Sequence, residues 1–143
     1  MSSIDTKHVL LGGVAAAVIL NACDWVINNY ILDDFWRHLA QTRNVDMFEM
    51  NGTSVLVTTV LVDCVLGFVL AWVYAAIRPR LGPGPGTAII ASFVVFGIAN
   101  AQIATFGGWL VTWDVFVRTA ALSLASLLAA GLAAGWVYKE AGD

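Results

Sequence analysis

Three ionisable residues, Asp24, Asp63 and Arg118, interrupt stretches that are otherwise almost wholly apolar. An ionisable group inside a bilayer costs at least ~2.5 kcal/mol, and it usually faces a partner, a cavity or an ion path. Around Asp24, the residues Asn21, Asp24 and Asn28 follow i, i+3, i+7 spacing, which puts all three on one helix face. Asn100, with Gln102 and Thr105 close by, and Ser123 supply further polar groups in later apolar stretches. Two carboxylates sharing a low-dielectric site suit proton exchange. With Arg118 as countercharge and Asn21, Asn28 and Asn100 as hydrogen-bonding lining, Asp24 and Asp63 define a pocket for a proton, a cation or a small polar solute. A competing reading pairs Arg118 with one aspartate and lets the amides satisfy the rest, so that the polar residues only fix helix register, as in an accessory or scaffold subunit. An active site in the membrane has little to support it: there is no serine–histidine pair, no HExxH and no metal-spaced histidine cluster. No catalytic residue, metal or cofactor is therefore assigned.

The elements that must hold these residues are apolar runs at about 9–31, 53–77, 87–106 and 115–138. Each is long enough for a hydrocarbon core of roughly 30 Å, which takes about 20 helical residues. Helices satisfy their own backbone there, and the alternation of a membrane strand is missing. The sequence thus predicts an all-α integral membrane protein, a single four-helix bundle. At 1.5 Å per residue, Asp24 lies about 10 Å, Asp63 about 15 Å, Asn100 about 9 Å, Ser123 about 12 Å and Arg118 about 5 Å from the same end of the bundle. All four helices place a polar group in one half of the membrane.

The first connection, residues 32–52, carries Leu32, Phe35, Trp36 and Leu39 at i, i+3, i+4, i+7 among Asp33, Asp34, Arg37, His38 and Gln41. That pattern predicts a short amphipathic helix on the membrane surface, a connector or a lid over the pocket. Asp34 and His38, one turn apart, could hold a metal with Asp46 or Glu49. Ion pairing with Arg37 and Arg43 explains the same residues more simply. Residues 78–86, RPRLGPGPG, form a Pro/Gly turn through which a helix is not expected to continue. Residues 107–114 form a third connection holding Trp109 and Trp113.

Four spans put both termini beside the RPRLGPGPG turn, on a side holding Lys7, Arg78, Arg80 and Lys139, against Arg37 and Arg43 opposite. Positive residues favour the cytoplasm, so both termini are assigned inside a bacterial-type inner membrane. Trp36, Trp109 and Trp113 mark one interface, Trp136 and Tyr138 the other. Residues 9–20 followed by Leu20-Asn21-Ala22-Cys23 faintly resemble a lipoprotein leader. The preceding basic region is Lys7 alone and Asn21 stands where a small residue is usual, so the stretch is read as a membrane helix. His8 and His38 fall at opposite ends and cannot share one haem iron within a chain.

Small residues let helices approach closely in lipid. Thr59, Asp63, Gly67, Ala71 and Ala75 recur every fourth residue, and Gly131 and Gly135 form a GxxxG. These serve a tight bundle within the chain or, through Gly67, Ala71, Gly131 and Gly135, a homo-oligomer or a larger complex. Cys23 and Cys64 sit within spans without Cys-x-x-Cys spacing and read as small buried thiols.

Composition agrees. The 143 residues are 59% hydrophobic and 12% charged, about half the charge of an ordinary soluble domain. That excludes a conventional soluble domain and a disordered chain. A net charge of −3 with no basic stripe excludes a nucleic-acid partner.

Overall fold

The computed structural model describes residues 4–43, 52–106 and 112–138. Among these the chain is helical throughout, with no strand. Asp46, Glu49, Trp109 and Lys139, and the side chains of Arg43 and Gln102, lie outside the described residues.

Helix α1 spans Thr6–Val26. Asp5 caps it, its Oδ1 accepting from the backbone N–H groups of Lys7 (3.0 Å) and His8 (3.3 Å), donors that the first turn leaves without an internal partner. The helix runs into a π-helical segment, Ile27–Ile31, closed by the Leu32 N–H donating to the Ile27 carbonyl at 2.8 Å. Helix α2, Asp33–Arg43, follows at once, with Asp33 and Asp34 in its first turn, where carboxylates complement the helix dipole. As its pattern predicts, Leu32 is buried and Phe35, Trp36 and Leu39 are half-buried, while Asp34, Arg37, His38 and Gln41 are exposed.

Helix α3, Thr53–Leu81, outruns its expected end. It continues through Pro79 to Leu81, and the connection shrinks to residues 82–84. Pro79 lacks the N–H that would bond the Ala75 carbonyl, so it removes one internal bond, yet the helix carries on for two more residues. The actual stop is Gly82, whose φ of 83° disfavours other residues and whose N–H bonds the Arg78 carbonyl at 2.8 Å. Helix α4, Pro85–Phe106, starts on a proline in the first helical position, and α5 spans Trp113–Val137.

The helices pack as a bundle in which α1 lies against α3 and α5, α5 also against α4, and α3 reaches both α4 and α5. The seams are built from small residues. A Cβ on Gly67 would sit 2.6 Å from the Ala17 nitrogen and 2.9 Å from the Gly13 carbonyl oxygen, so α1 and α3 touch backbone to backbone there. On the α4–α5 seam, Gly131 faces Ser92, whose hydroxyl lies 2.9 Å from both the Ala88 and Leu127 carbonyl oxygens. Gly67, Ala71 and Gly131 are buried and Gly135 packs on the Tyr74 ring. The small-residue faces are thus spent inside the chain.

The outer surface is the reverse of a soluble protein's. Val18 is 62% exposed, Val65 61%, Ile98 67% and Trp136 85%, with similar apolar exposure along every long helix. Such surface is unfavourable in water and suits an apolar surrounding such as a bilayer. Thr6–Ile31, Thr53–Leu81 and Trp113–Val137 are long and apolar enough to cross a membrane, and Pro85–Ala101 is a shorter apolar run. His8 near the start of α1 meets Tyr138 after α5, and Tyr138 meets Tyr74, which bonds Gly84, so the start of α1 and the end of α5 lie beside the 82–84 turn. This is the turn end of the bundle, and the opposite one, beside α2, is the α2 end.

Candidate polar site between the first and third helices

The backbone contact of Gly67 with Ala17 fixes the register of the site. One turn from Gly67 toward the α2 end, about 6 Å along α3, is Asp63. On α1 the row Ala17, Asn21, Asp24 and Asn28 keeps one face toward the α2 end, so Asn21 lies level with Asp63 and Asp24 about one turn beyond. Asp63 is only 5% exposed, and its Oδ2 is fully buried with no hydrogen-bond partner among the described residues. Asp24 is half-buried on the same face of α1. Cys23 and Cys64, the neighbours of these aspartates in sequence, are free and half-buried.

The amides around them are oriented by their own helices. Asn21 Nδ2 donates to the Ala17 carbonyl (2.9 Å), and Asn28 Nδ2 donates to the Asp24 carbonyl (2.8 Å). A backbone carbonyl can only accept, so the amide orientation follows from the partner. Asn28 Oδ1 accepts from the Trp36 Nε1–H at 3.0 Å, which ties α2 back across the π-helical segment to the rim of the site. π-helical turns recur where a helix is re-aimed at a functional position, and this one begins three residues after Asp24.

Two expected members stand apart. Asn100, 8% exposed on α4, donates through Nδ2 to its own Phe96 carbonyl (3.0 Å), and no hydrogen bond joins it to either carboxylate. Arg118 does not supply the countercharge. Its side chain is 66% exposed, and its Nε donates to Asp114 Oδ1 at 3.1 Å. Asp114, one turn earlier on α5, holds it locally, and its position around the helix turns it away from the buried row Ser126, Ala130 and Ala134. The other described cations are engaged or remote: Arg37 with Asp33 at 2.9 Å, His8 with Asp5 at 2.8 Å, and Lys7, Arg78 and Arg80 toward the turn end. Among the described residues no three His, Cys, Asp or Glu side chains come together as metal ligands.

The turn end holds a second polar cluster that the sequence pattern does not reveal. Arg78, 5% exposed, places its guanidinium 5.4 Å from the Tyr138 ring centre. Tyr138 meets Tyr74 and His8 edge-on at 5.8 and 6.4 Å, and His8 Nδ1 lies 2.8 Å from Asp5 Oδ2. The Tyr74 hydroxyl accepts from the Gly84 N–H at 3.2 Å. The His8 contact holds the Asp5 carboxyl below the usual aspartate range. Beside this cluster a half-open groove of about 440 Å³, walled by Pro85, Ala88, Leu132, Gly135, Trp136 and Tyr138, is mainly apolar.

No protein-family pattern, curated protein or solved structure matches this chain.

Proposed function

We propose that this is a small polytopic membrane protein whose site between α1 and α3 binds or passes a proton, a cation or a small polar solute. In this reading α4 is the fourth span, the α2 end faces outward, and both termini lie on the cytoplasmic side of a bacterial-type inner membrane. The charge pattern supports that orientation, with Lys7, Arg78 and Arg80 at the turn end.

The observation that carries the reading is Asp63. A buried carboxylate oxygen without a partner is expensive unless something supplies one. The accessory-subunit alternative needs the polar residues to lock helices together. Asn21, Asn28 and Asn100 instead each donate to their own helix, and Arg118 pairs with Asp114. The α1–α3 contact next to Asp63 is made by Gly67, Ala17 and Gly13.

The test is Asp63→Asn and Asp24→Asn in the full chain. Ligand binding or flux is lost in Asp63→Asn and impaired in Asp24→Asn while the detergent-extracted fold is retained. Variants that instead lose thermal stability, in a protein with no ligand, ion or proton dependence, would return the polar residues to a packing role.

A further inference from the structure

The identity of the groups left facing the site narrows its ligand, and this step rests on the reading of Asp63 as a site. An anion needs positive charge or several converging donors. No described cation reaches either carboxylate, and the amides of Asn21 and Asn28 each direct one Nδ2 hydrogen to their own helix, at Ala17 and Asp24, while Asn28 Oδ1 takes the Trp36 N–H. The charged groups facing the site are the carboxyls of Asp63 and Asp24, both negative when ionised, so the site favours a cation.

Charge and ligand number narrow it further. Multivalent metals want several His, Cys or carboxylate ligands or a shell of six or more oxygens, and no third such group joins the two aspartates among the described residues. Space beneath Asp63 is closed one turn away, where Gly67 meets the Ala17 backbone. That tight seam on the turn-end side of Asp63 favours a small ion, and Asp24 and Asn28 stand on its α2-end side. Asp63 is more than one of an acidic pair, because its Oδ2 is fully buried and bonds no described residue.

We infer that the ligand is a single small monovalent cation, a proton or an alkali-metal ion, held at the Asp63 carboxylate and loaded from the α2 end past Asp24. When an alkali ion replaces a proton, the carboxyl O–H bond breaks, the proton leaves to solvent and the ion takes its place on the same oxygen. The charged neighbours leave this assignment intact. On α2, Asp33 and Arg37 pair with each other, and Asp34 and His38 are exposed. On α5, Asp114 and Arg118 pair at the surface, and α4 carries no charged residue.

The experiment uses the full chain in detergent, equilibrated in choline chloride. Thermal unfolding is followed as lithium, sodium or potassium chloride is added at constant pH, and separately as pH is lowered in choline alone, with a dye recording protons released. The unfolding temperature rises with at least one of these cations. Proton release on adding salt identifies an alkali ion exchanging at the carboxyl, and a response to pH alone identifies the proton as the sole ligand. Asp63→Asn abolishes the response. Asp24→Asn weakens apparent affinity about tenfold, as removing a nearby second carboxylate should. A response confined to magnesium, calcium, an anion series or a neutral solute, and lost in Asp63→Asn, overturns the monovalent assignment while leaving Asp63 as the site. A response that survives Asp63→Asn, or no response to any solute, overturns both. If Asp63→Asn does not fold, the wild-type titrations and Asp24→Asn decide, and an Asp24→Asn titration identical to wild type counts against the assignment.

Discussion

The bundle buries charge at both ends and treats it in opposite ways. At the turn end, Arg78 is as deeply buried as Asp63, yet it lies against the Tyr138 ring, which itself packs on Tyr74 and His8, and His8 is joined to Asp5. At the α2 end, Asp63 has the same 5% exposure and an oxygen that nothing described satisfies. Equal burial with unequal satisfaction is the difference between the two ends, and the proposed function rests on it. A network whose members have partners rigidifies the fold, whereas an incomplete one is tolerated where its missing partner comes from outside.

The sharpest way to break this comparison is to remove one charge from each end and compare signs. Arg78→Ala should destabilise the protein by about 2 kcal/mol, the worth of a desolvated cation–π contact, and leave the cation response at Asp63 unchanged. Asp63→Asn, measured in choline without added ligand, should be neutral or stabilising by about 1 kcal/mol, because it removes an unsatisfied charge and keeps the shape. Chemical denaturation in mild detergent reads both. Two losses of similar size would make the ends alike and remove the distinction.

A smaller effect sharpens the picture at the rim. Trp36→Phe deletes the N–H that bonds Asn28 Oδ1 and should cost about 0.5–1 kcal/mol. It should also raise the rate at which a membrane-impermeant thiol reagent labels Cys64 in a Cys23→Ser background, since α2 is no longer tied to Asn28. An unchanged labelling rate would show that the bond fixes α2 without covering the site.

The smallest effect concerns Asp5. His8 lowers its folded-state pKa, so the stability it contributes is present above the ordinary aspartate value of about 3.9 and is lost as pH falls through the lower folded value. Asp5→Asn should therefore flatten the acid limb of thermal stability below about pH 4 and leave neutral-pH cation binding untouched. Melting curves between about pH 6 and pH 3 test it. An acid limb identical to wild type would mean that other carboxylates control it.

Much of the fold was legible because it depends on one dimension. Apolar run length located the long helices, and the spacing of Asn21, Asp24 and Asn28 put them on one face whatever that face met. The amphipathic pattern from Leu32 to Leu39 likewise gave α2 its buried and exposed sides. The end of α3 was not legible. A proline reads as a stop, but here the helix absorbs the loss of one bond and runs past Pro79, and the actual terminus was set by the positive φ of Gly82.

Sequence by itself determined that the chain holds helices long and apolar enough to cross a membrane, which polar residues interrupt them, and how far along its helix each lies, since that follows from a fixed rise per residue. Only the tertiary structure decided which of them meet. Depth put Arg118 near the aspartates, but its position around α5 and the nearby Asp114 carried it to the surface. The contact of Gly67 with Ala17 chose α1 as the neighbour of Asp63, and chain reversal at Gly82 and Gly84 helped bring residues 5, 8, 74, 78 and 138 to one end. A helix's rise is the same for every sequence, whereas its rotation and its neighbours come from which small-residue faces fit together, and that fit exists only in the assembled bundle.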